Sequence, residues 1–311
     1  MLKLLASLVF LSSPFAAAAE PPLTLEDVSP GTIASFSFPP SAGKIAVVPF
    51  HQDTPPADLY FNAYILRAVE QLYAGYGLLG YDINSILTHD IQYHTFGVIP
   101  ARRPPLTMCV AAMMEVILTA YDIYAKETGD YSVYEYLPKK SFEGLNVGDI
   151  KGHIWVNSKF NANGTADALI NFGMGQRTVF EELKPGSFVN INRTTKTGHA
   201  VVFLNYINAA GEPQPAYNDT VVGFKYFSSQ GRATAGDGGF DYRYAVFSKF
   251  GCPYMPYKRD CNVIYSIDQK MLNTGTMTSP KYWTHVMPTE DPAAGETVFR
   301  RNYFNGVTTD D

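Results

Sequence analysis

Charged residues are scarce in this sequence. They make up 17% of its 311 residues, and the formal net charge is −5. Lysine and arginine form neither a cluster nor a stripe anywhere along the chain. Nucleic acid is therefore not expected as a partner, because a phosphate backbone is bound by clustered cations. Aromatic residues reach 14%, which is typical of a folded protein rather than a disordered one.

Long hydrophobic runs are also missing. No segment reaches the roughly 18 consecutive apolar residues of a membrane-spanning helix, so we expect no integral membrane segment. A shorter apolar run, residues 4–12, follows Lys3 and precedes the small residues Ala16–Ala19. This order is typical of a cleaved secretory signal peptide. We expect residues 1–19 to be removed and the mature protein to be secreted or periplasmic.

Cysteine is the third scarce residue, with only Cys109, Cys252 and Cys261. An odd number in an exported protein leaves at least one thiol outside any internal disulfide. Cys252 and Cys261 bound the loop "GCPYMPYKRDCN", and an oxidising compartment would favour a disulfide between them. The alternative is two loop thiols. In either case Cys109 stands apart from this pair.

Two helices are predicted in the first half of the chain. Residues 57–76 carry apolar side chains at helical spacing, and residues 107–130 form a second helix that is apolar nearly all round, as a buried helix is. Thr107 is the predicted N-cap, so this helix would begin almost at Cys109. Helix N-termini favour anions, and the thiolate is the nucleophilic form of cysteine. The alternative is that Cys109 is a small core residue.

The second half of the chain favours β-strands. A helix interrupted by glycine is predicted over 165–183. The period then changes to that of strands, and the predicted strands are 187–193, 199–207, 220–230 and 242–250. An extended arm and two helices followed by antiparallel strands give an α+β fold class.

His199 is the only one of six histidines predicted to begin a core strand. Strand 220–230 returns antiparallel to strand 199–207, so Ser228, Ser229 and Gln230 should lie opposite His199. Alternation places Ser228 and Gln230 on one face and Ser229 on the other. A polar side chain here could orient the imidazole. Gln230 is our preferred candidate, and a plain polar cluster at the strand end is the alternative.

Four segments together resemble the NlpC-type and CHAP cell-wall hydrolases, which share a papain-like fold: "TMCVAAMMEV", "LKPGSFVNI", "GHAVVFLNY" and "KYFSSQG". The resemblance covers roughly residues 105–250. It implies Cys109 as nucleophile, His199 as general base and a polar residue at the end of the return strand as the residue that orients the base. Gln230 is our choice for that residue, with Ser228 and Ser229 as alternatives. The resemblance also implies peptidoglycan or its stem peptides as the partner, with an amide or peptide bond as the target and no cofactor.

The predicted signal peptide (1–19) and the papain-like core that the resemblance implies (105–250) leave an N-terminal arm with a helical extension (20–104) and a C-terminal extension (251–311). Two other functions remain open. One is a catalytically inactive protein that binds cell wall or glycan through its aromatic residues, and the other is a cysteine protease or transferase acting on protein. His89 and His94 are five residues apart and do not share a helix face, so no metal site is expected.

Overall fold

The computed structural model describes residues 58–135, 163–256 and 258–284, and the backbone of one further strand at 309–310. The predicted signal peptide (1–19) and the extended arm predicted before the first helix lie outside these residues. The helices are α1 (Asn62–Tyr76), α2 (Cys109–Thr128) and α3 (Thr165–Asn171). The strands are β1 (Ile91–Gln92), β2 (Val98–Ile99), β3 (Gly175–Arg177), β4 (Phe188–Asn192), β5 (Thr197–Ile207), β6 (Pro213–Gln214), β7 (Gly223–Gly231), β8 (Gly238–Phe247), β9 (Arg259–Val263), β10 (Leu272–Met277) and β11 (Thr309–Asp310).

A large mixed sheet organises the described residues, which confirms the predicted α+β class. Its strands follow the order β3-β10-β4-β5-β7-β8-β9, with β6 and β11 paired to β5. Neighbours run antiparallel except for β8 with β9 and β5 with β11. The β5 and β7 strands form the predicted antiparallel pair, with a register shift between Phe203 and Asn205. Separately, β1 and β2 form a short hairpin.

Helix α2 is the buried helix predicted from its apolar composition. Most of its residues are buried, and it packs against α1, β5 and β7. It ends at Gly129, whose φ of 74° is a left-handed conformation that glycine adopts without strain. The predicted N-cap was wrong by one residue. Met108, with an extended backbone, holds that position, and Thr107 precedes it in the approach to the helix.

The helix predicted over 165–183 was wrong beyond its first half. Helix α3 ends at Asn171, and Gly173 follows in a left-handed conformation with φ of 69°. The chain then forms β3, which pairs with β10. The segment therefore does not remain helical. Gly173 interrupts the helix, and the residues after it pair with a strand nearly a hundred residues away in sequence.

The sheet has a core on each side. Ala200, Val202 and Phe227 join the cluster that contains α1 and α2, and we call this side the helix face. Val201, Phe203 and Tyr226 join a second cluster with residues of β4, β8 and β9, and we call this side the opposite face. The two clusters follow the alternation of side chains along β5 and β7.

Three strands of this sheet, β9, β10 and β11, lie in the segment predicted as a C-terminal extension (251–311). β10 is inserted between β3 and β4. The loop before β9 is closed by the predicted disulfide, since Cys252 and Cys261 are bonded, with their Cα atoms 5.3 Å apart.

Candidate functional site

Cys109 occupies the position that the sequence predicts, at the first residue of α2. Its side chain is fully buried. The disulfide uses the other two cysteines, so Cys109 keeps its thiol. The backbone N–H groups of a helix's first turn have no intrahelical acceptors, so this end of α2 favours negative charge.

The start of α2 is tied to the end of β7. The Ser229 hydroxyl donates a hydrogen bond of 2.8 Å to the carbonyl of Thr107, two residues before Cys109. Ser229 lies beside Gln230 in the sequence. This bond therefore holds the N-terminus of α2, which carries Cys109, beside the end of β7, which carries Gln230.

His199 is the third residue of β5 rather than its first, because pairing with β4 and β11 extends the strand back to Thr197. The imidazole is fully buried. Its Nε2 lies 3.0 Å from Oε1 of Gln230, and its ring centroid lies 5.8 Å from that of Tyr226 in an edge-to-face arrangement. The histidine is thus held by a polar and an aromatic neighbour from β7.

Of the three residues predicted to lie opposite His199, Gln230 contacts the imidazole. Ser228 donates instead to the carbonyl of Ala200, over 2.7 Å, and Ser229 donates to Thr107. The hydroxyl of Tyr226 donates to the same Oε1 of Gln230, over 2.8 Å. The predicted contact between Gln230 and His199 is therefore confirmed, while Tyr226 was missed because nothing in its spacing distinguishes it from a core tyrosine.

Tyr226 lies on the opposite face of the sheet, and Gln230 shares that face by alternation along β7. His199 lies there too, since it pairs in register with Ile191 of the same cluster, whereas α2 packs on the helix face. Side chains alternate between the two faces along β5. Ala200, next to His199, belongs to the cluster on the helix face, and Val201, two residues from His199, belongs to the cluster on the opposite face. A meeting of the Cys109 sulfur with the imidazole would therefore take place past the strand ends, where α2 begins, and not across the middle of the sheet.

Charged groups flank the strands that carry His199 and Gln230. Arg193 forms an ion pair with Asp260 and donates to the Gly198 carbonyl, over 3.4 Å. On β8, Asp241 pairs in register with Ser228. Burial raises the pKa of Asp241 above its usual range, and the N–H of Tyr242 and the nearby cations oppose this shift.

A second buried polar cluster lies along α2, and it was not predicted from the sequence. Glu115 is fully buried and accepts hydrogen bonds from the N–H and hydroxyl of Thr88. Its carboxylate lies 3.1 Å from Nδ1 of His89, whose ring stacks on Tyr76 with centroids 4.3 Å apart. Burial, and then the Glu115 charge, raise the pKa of Tyr76. A glutamate within the apolar run of residues 110–118 was the available signal.

The two histidines stack on different rings, His94 on Tyr131 with centroids 4.5 Å apart and His89 on Tyr76. In the described parts of the chain, no group of three or more His, Cys, Asp and Glu side chains is arranged to hold a metal ion. The described helices also include none with the length and apolar character needed to cross a membrane.

Comparison with known proteins gives no family assignment to set beside this geometry. No protein-family model, no curated protein and no solved structure matches the chain.

Proposed function

We propose that this protein is an exported cysteine hydrolase with a papain-like core that cleaves an amide or peptide bond of peptidoglycan. Cys109 is the nucleophile, His199 the general base and Gln230 the residue that orients the base. The observation that carries the proposal is the buried contact of 3.0 Å between His199 Nε2 and Gln230 Oε1. A base held by a third group is the arrangement that thiol catalysis requires.

This contact assigns a role to each nitrogen of the imidazole. An amide oxygen only accepts hydrogen bonds, so Nε2 carries the proton that it shares with Gln230. Nδ1 is then the nitrogen left to take the proton of the Cys109 thiol. Because the imidazole and α2 lie on different faces of the sheet, this step requires a local movement at the strand ends that brings the sulfur and Nδ1 together. The resulting thiolate attacks the carbonyl carbon, a C–S bond forms, and the carbonyl electron pair moves onto oxygen. The backbone N–H of Cys109 is a candidate donor to that oxyanion.

The remaining steps return the enzyme to its starting state. The imidazolium protonates the leaving nitrogen as the C–N bond breaks, which leaves a thioester on Cys109. His199 next removes a proton from water, the hydroxide attacks the thioester, and the acid product departs as the thiol is restored. No cofactor takes part in these steps.

The hydrogen bond from Ser229 to Thr107 supports the proposal from the side of the nucleophile. It holds the approach to α2 against the end of β7, beside the residue that contacts His199. Both Cys109 and His199 are fully buried, so substrate entry requires a local movement that opens the end of the sheet. The choice of peptidoglycan rests on the family resemblance and on the predicted export.

The experiment compares the purified protein with its Cys109→Ala and His199→Ala variants on muropeptides, with products identified by mass spectrometry. Each variant should lose at least about a thousandfold in cleavage rate, because members of a nucleophile–base unit fail together. His94→Ala is the matched control and should retain activity, since His94 stacks on Tyr131 far from β7 in the sequence. Full activity in Cys109→Ala would refute the nucleophile assignment.

A second candidate is a catalytically inactive protein that binds cell wall or glycan. The complete burial of both Cys109 and His199 favours it, because a buried thiol and imidazole also suit a purely structural role. Exposed rings such as Phe96 and Tyr131 would serve stacking on sugars. Iodoacetamide labelling separates the two candidates, since Cys109 is the one thiol outside the disulfide. Sedimentation with peptidoglycan, without labelling or cleavage, supports the binding protein.

A further inference from the structure

Tyr226 belongs to a buried hydrogen-bonded chain that ends at the His199 imidazole. Its hydroxyl donates to Gln230 Oε1, and the same oxygen lies against His199 Nε2. All three side chains are 3% exposed or less. We propose that Tyr226 is a positioning residue that fixes the orientation of the Gln230 amide and, through it, the tautomer of His199. The catalytic consequence of this tautomer rests on the proposed function.

The physical basis is the two-sided character of a glutamine amide. Rotation by half a turn exchanges its acceptor oxygen for its donor nitrogen. With the oxygen towards His199, the imidazole carries its proton on Nε2 and keeps a lone pair on Nδ1. With the nitrogen there, Nε2 must accept and the proton moves to Nδ1, so that Nδ1 cannot take a proton from a thiol. A phenol donates more strongly than it accepts, and the Tyr226 hydroxyl therefore selects the first orientation.

The local strand geometry makes Tyr226 suitable for this role. Tyr226 and Gln230 lie four residues apart on β7, and side chains an even number of residues apart share a face. Ser228 lies between them, but its hydroxyl is engaged by the Ala200 carbonyl and does not compete for the amide. β7 is in continuous register with β8 from Gly223 to Gly231, which holds the two side chains at a constant spacing.

The test measures the tautomer directly, in the full-length protein carrying Cys109→Ala, so that it does not depend on catalysis. Nitrogen-15 NMR of labelled histidine reports which ring nitrogen is protonated, and the spectrum of His199→Asn assigns the signals. With Tyr226 intact, His199 should be protonated on Nε2. Adding Tyr226→Phe should shift the ratio of tautomers towards Nδ1–H by about five- to tenfold, as expected for the loss of one hydrogen bond.

Tyr206→Phe is the matched control. Tyr206 is also a buried tyrosine, on the neighbouring strand, but its hydroxyl donates to the Phe180 carbonyl over 2.6 Å. This variant should leave the His199 tautomer unchanged. An unchanged tautomer in Tyr226→Phe, or an equal shift in both variants, would overturn the positioning role.

A rescue experiment guards against a general packing effect. An ionised glutamate at position 230 has only acceptor oxygens. At a pH at which the imidazole is neutral, Gln230→Glu should therefore hold the proton on Nε2 without help from Tyr226. The double variant Tyr226→Phe with Gln230→Glu should therefore keep the Nε2–H form, and loss of that form would contradict the inference.

With Cys109 present, Tyr226→Phe should lower kcat by about tenfold and leave KM nearly unchanged. A tautomer shift without any muropeptide cleavage by the parent protein would uphold the inference and refute the hydrolase.

Discussion

Single buried polar side chains carry much of the specificity of this structure at the residue scale. Glu115 is the clearest example, because it lies in the middle of a helix whose neighbouring residues are apolar. Burying a carboxylate is unfavourable unless hydrogen bonds replace its water. The N–H and hydroxyl of Thr88 and the Nδ1 edge of His89 supply that replacement. Glu115 therefore fixes the loop before β1 onto α2.

Replacing Glu115 tests this role. Glu115→Ala should lower the free energy of unfolding by about 2–4 kcal/mol, because the buried N–H of Thr88 loses its acceptor and a cavity remains. Glu70→Ala, at an exposed position of α1, should change stability by less than about 0.5 kcal/mol. Urea unfolding followed by circular dichroism gives both values. Equal stability of the two variants would show that the cluster around Glu115 contributes nothing to folding.

Asp241 makes the stability depend on pH. Because burial raises the pKa of its carboxyl above the value of 3.8 for a free side chain, the folded state binds a proton more tightly than the unfolded state does. Its contribution is therefore most favourable below pH 3.8 and is lost as the pH rises through the folded-state value. Asp241→Asn, which stays neutral, should gain stability relative to the parent between pH 3 and pH 7. Urea unfolding at both pH values checks the sign, and a relative loss over this interval would contradict it.

At the element scale, the features that depend on nearby residues were predictable. The apolar composition of α2 and its terminal glycine depend on local sequence, and so does the β5–β7 pair that brings Gln230 to His199. The β3 strand was not predictable, because its helical pattern is overridden by pairing with β10. Tyr226 was missed for a different reason. Its hydrogen bond depends on side-chain rotamers, which strand periodicity does not specify.

The disulfide should act on one element, the edge strand β9. It closes a short loop between residues nine apart in sequence, and β9 pairs in parallel with β8. Loop-closure entropy predicts that a Cys252→Ser, Cys261→Ser variant loses about 2–3 kcal/mol of stability. Hydrogen exchange should increase at the amides of Asp260–Val263 and stay unchanged in β5. Uniformly faster exchange across the sheet would show that the disulfide acts globally instead.

At the scale of the whole molecule, the sheet depends on strands that are distant in sequence. β10 lies between β3 and β4, although about 80 residues separate it from β4. Its residues are all buried, and Trp283 beyond it joins the core around α2. The hydrophobic periodicity of a short segment cannot reveal such a partner. Which strands pair depends on contacts between segments that are distant in sequence and not on local propensity. This is why the predicted core ends at residue 250.

Truncation after residue 250 tests the dependence on distant strands. The shortened chain loses β9 and β10, which leaves the ladders of β3 and β4 without their shared neighbour and removes Trp283 from the core. Unpaired backbone groups and lost apolar burial together exceed the usual stability of a domain, about 5–15 kcal/mol. We therefore expect no cooperative thermal transition by circular dichroism, and recovery of that transition when residues 251–311 are co-expressed as a separate chain. A truncated chain that melts cooperatively by itself would show that the fold does not depend on the strands after residue 250.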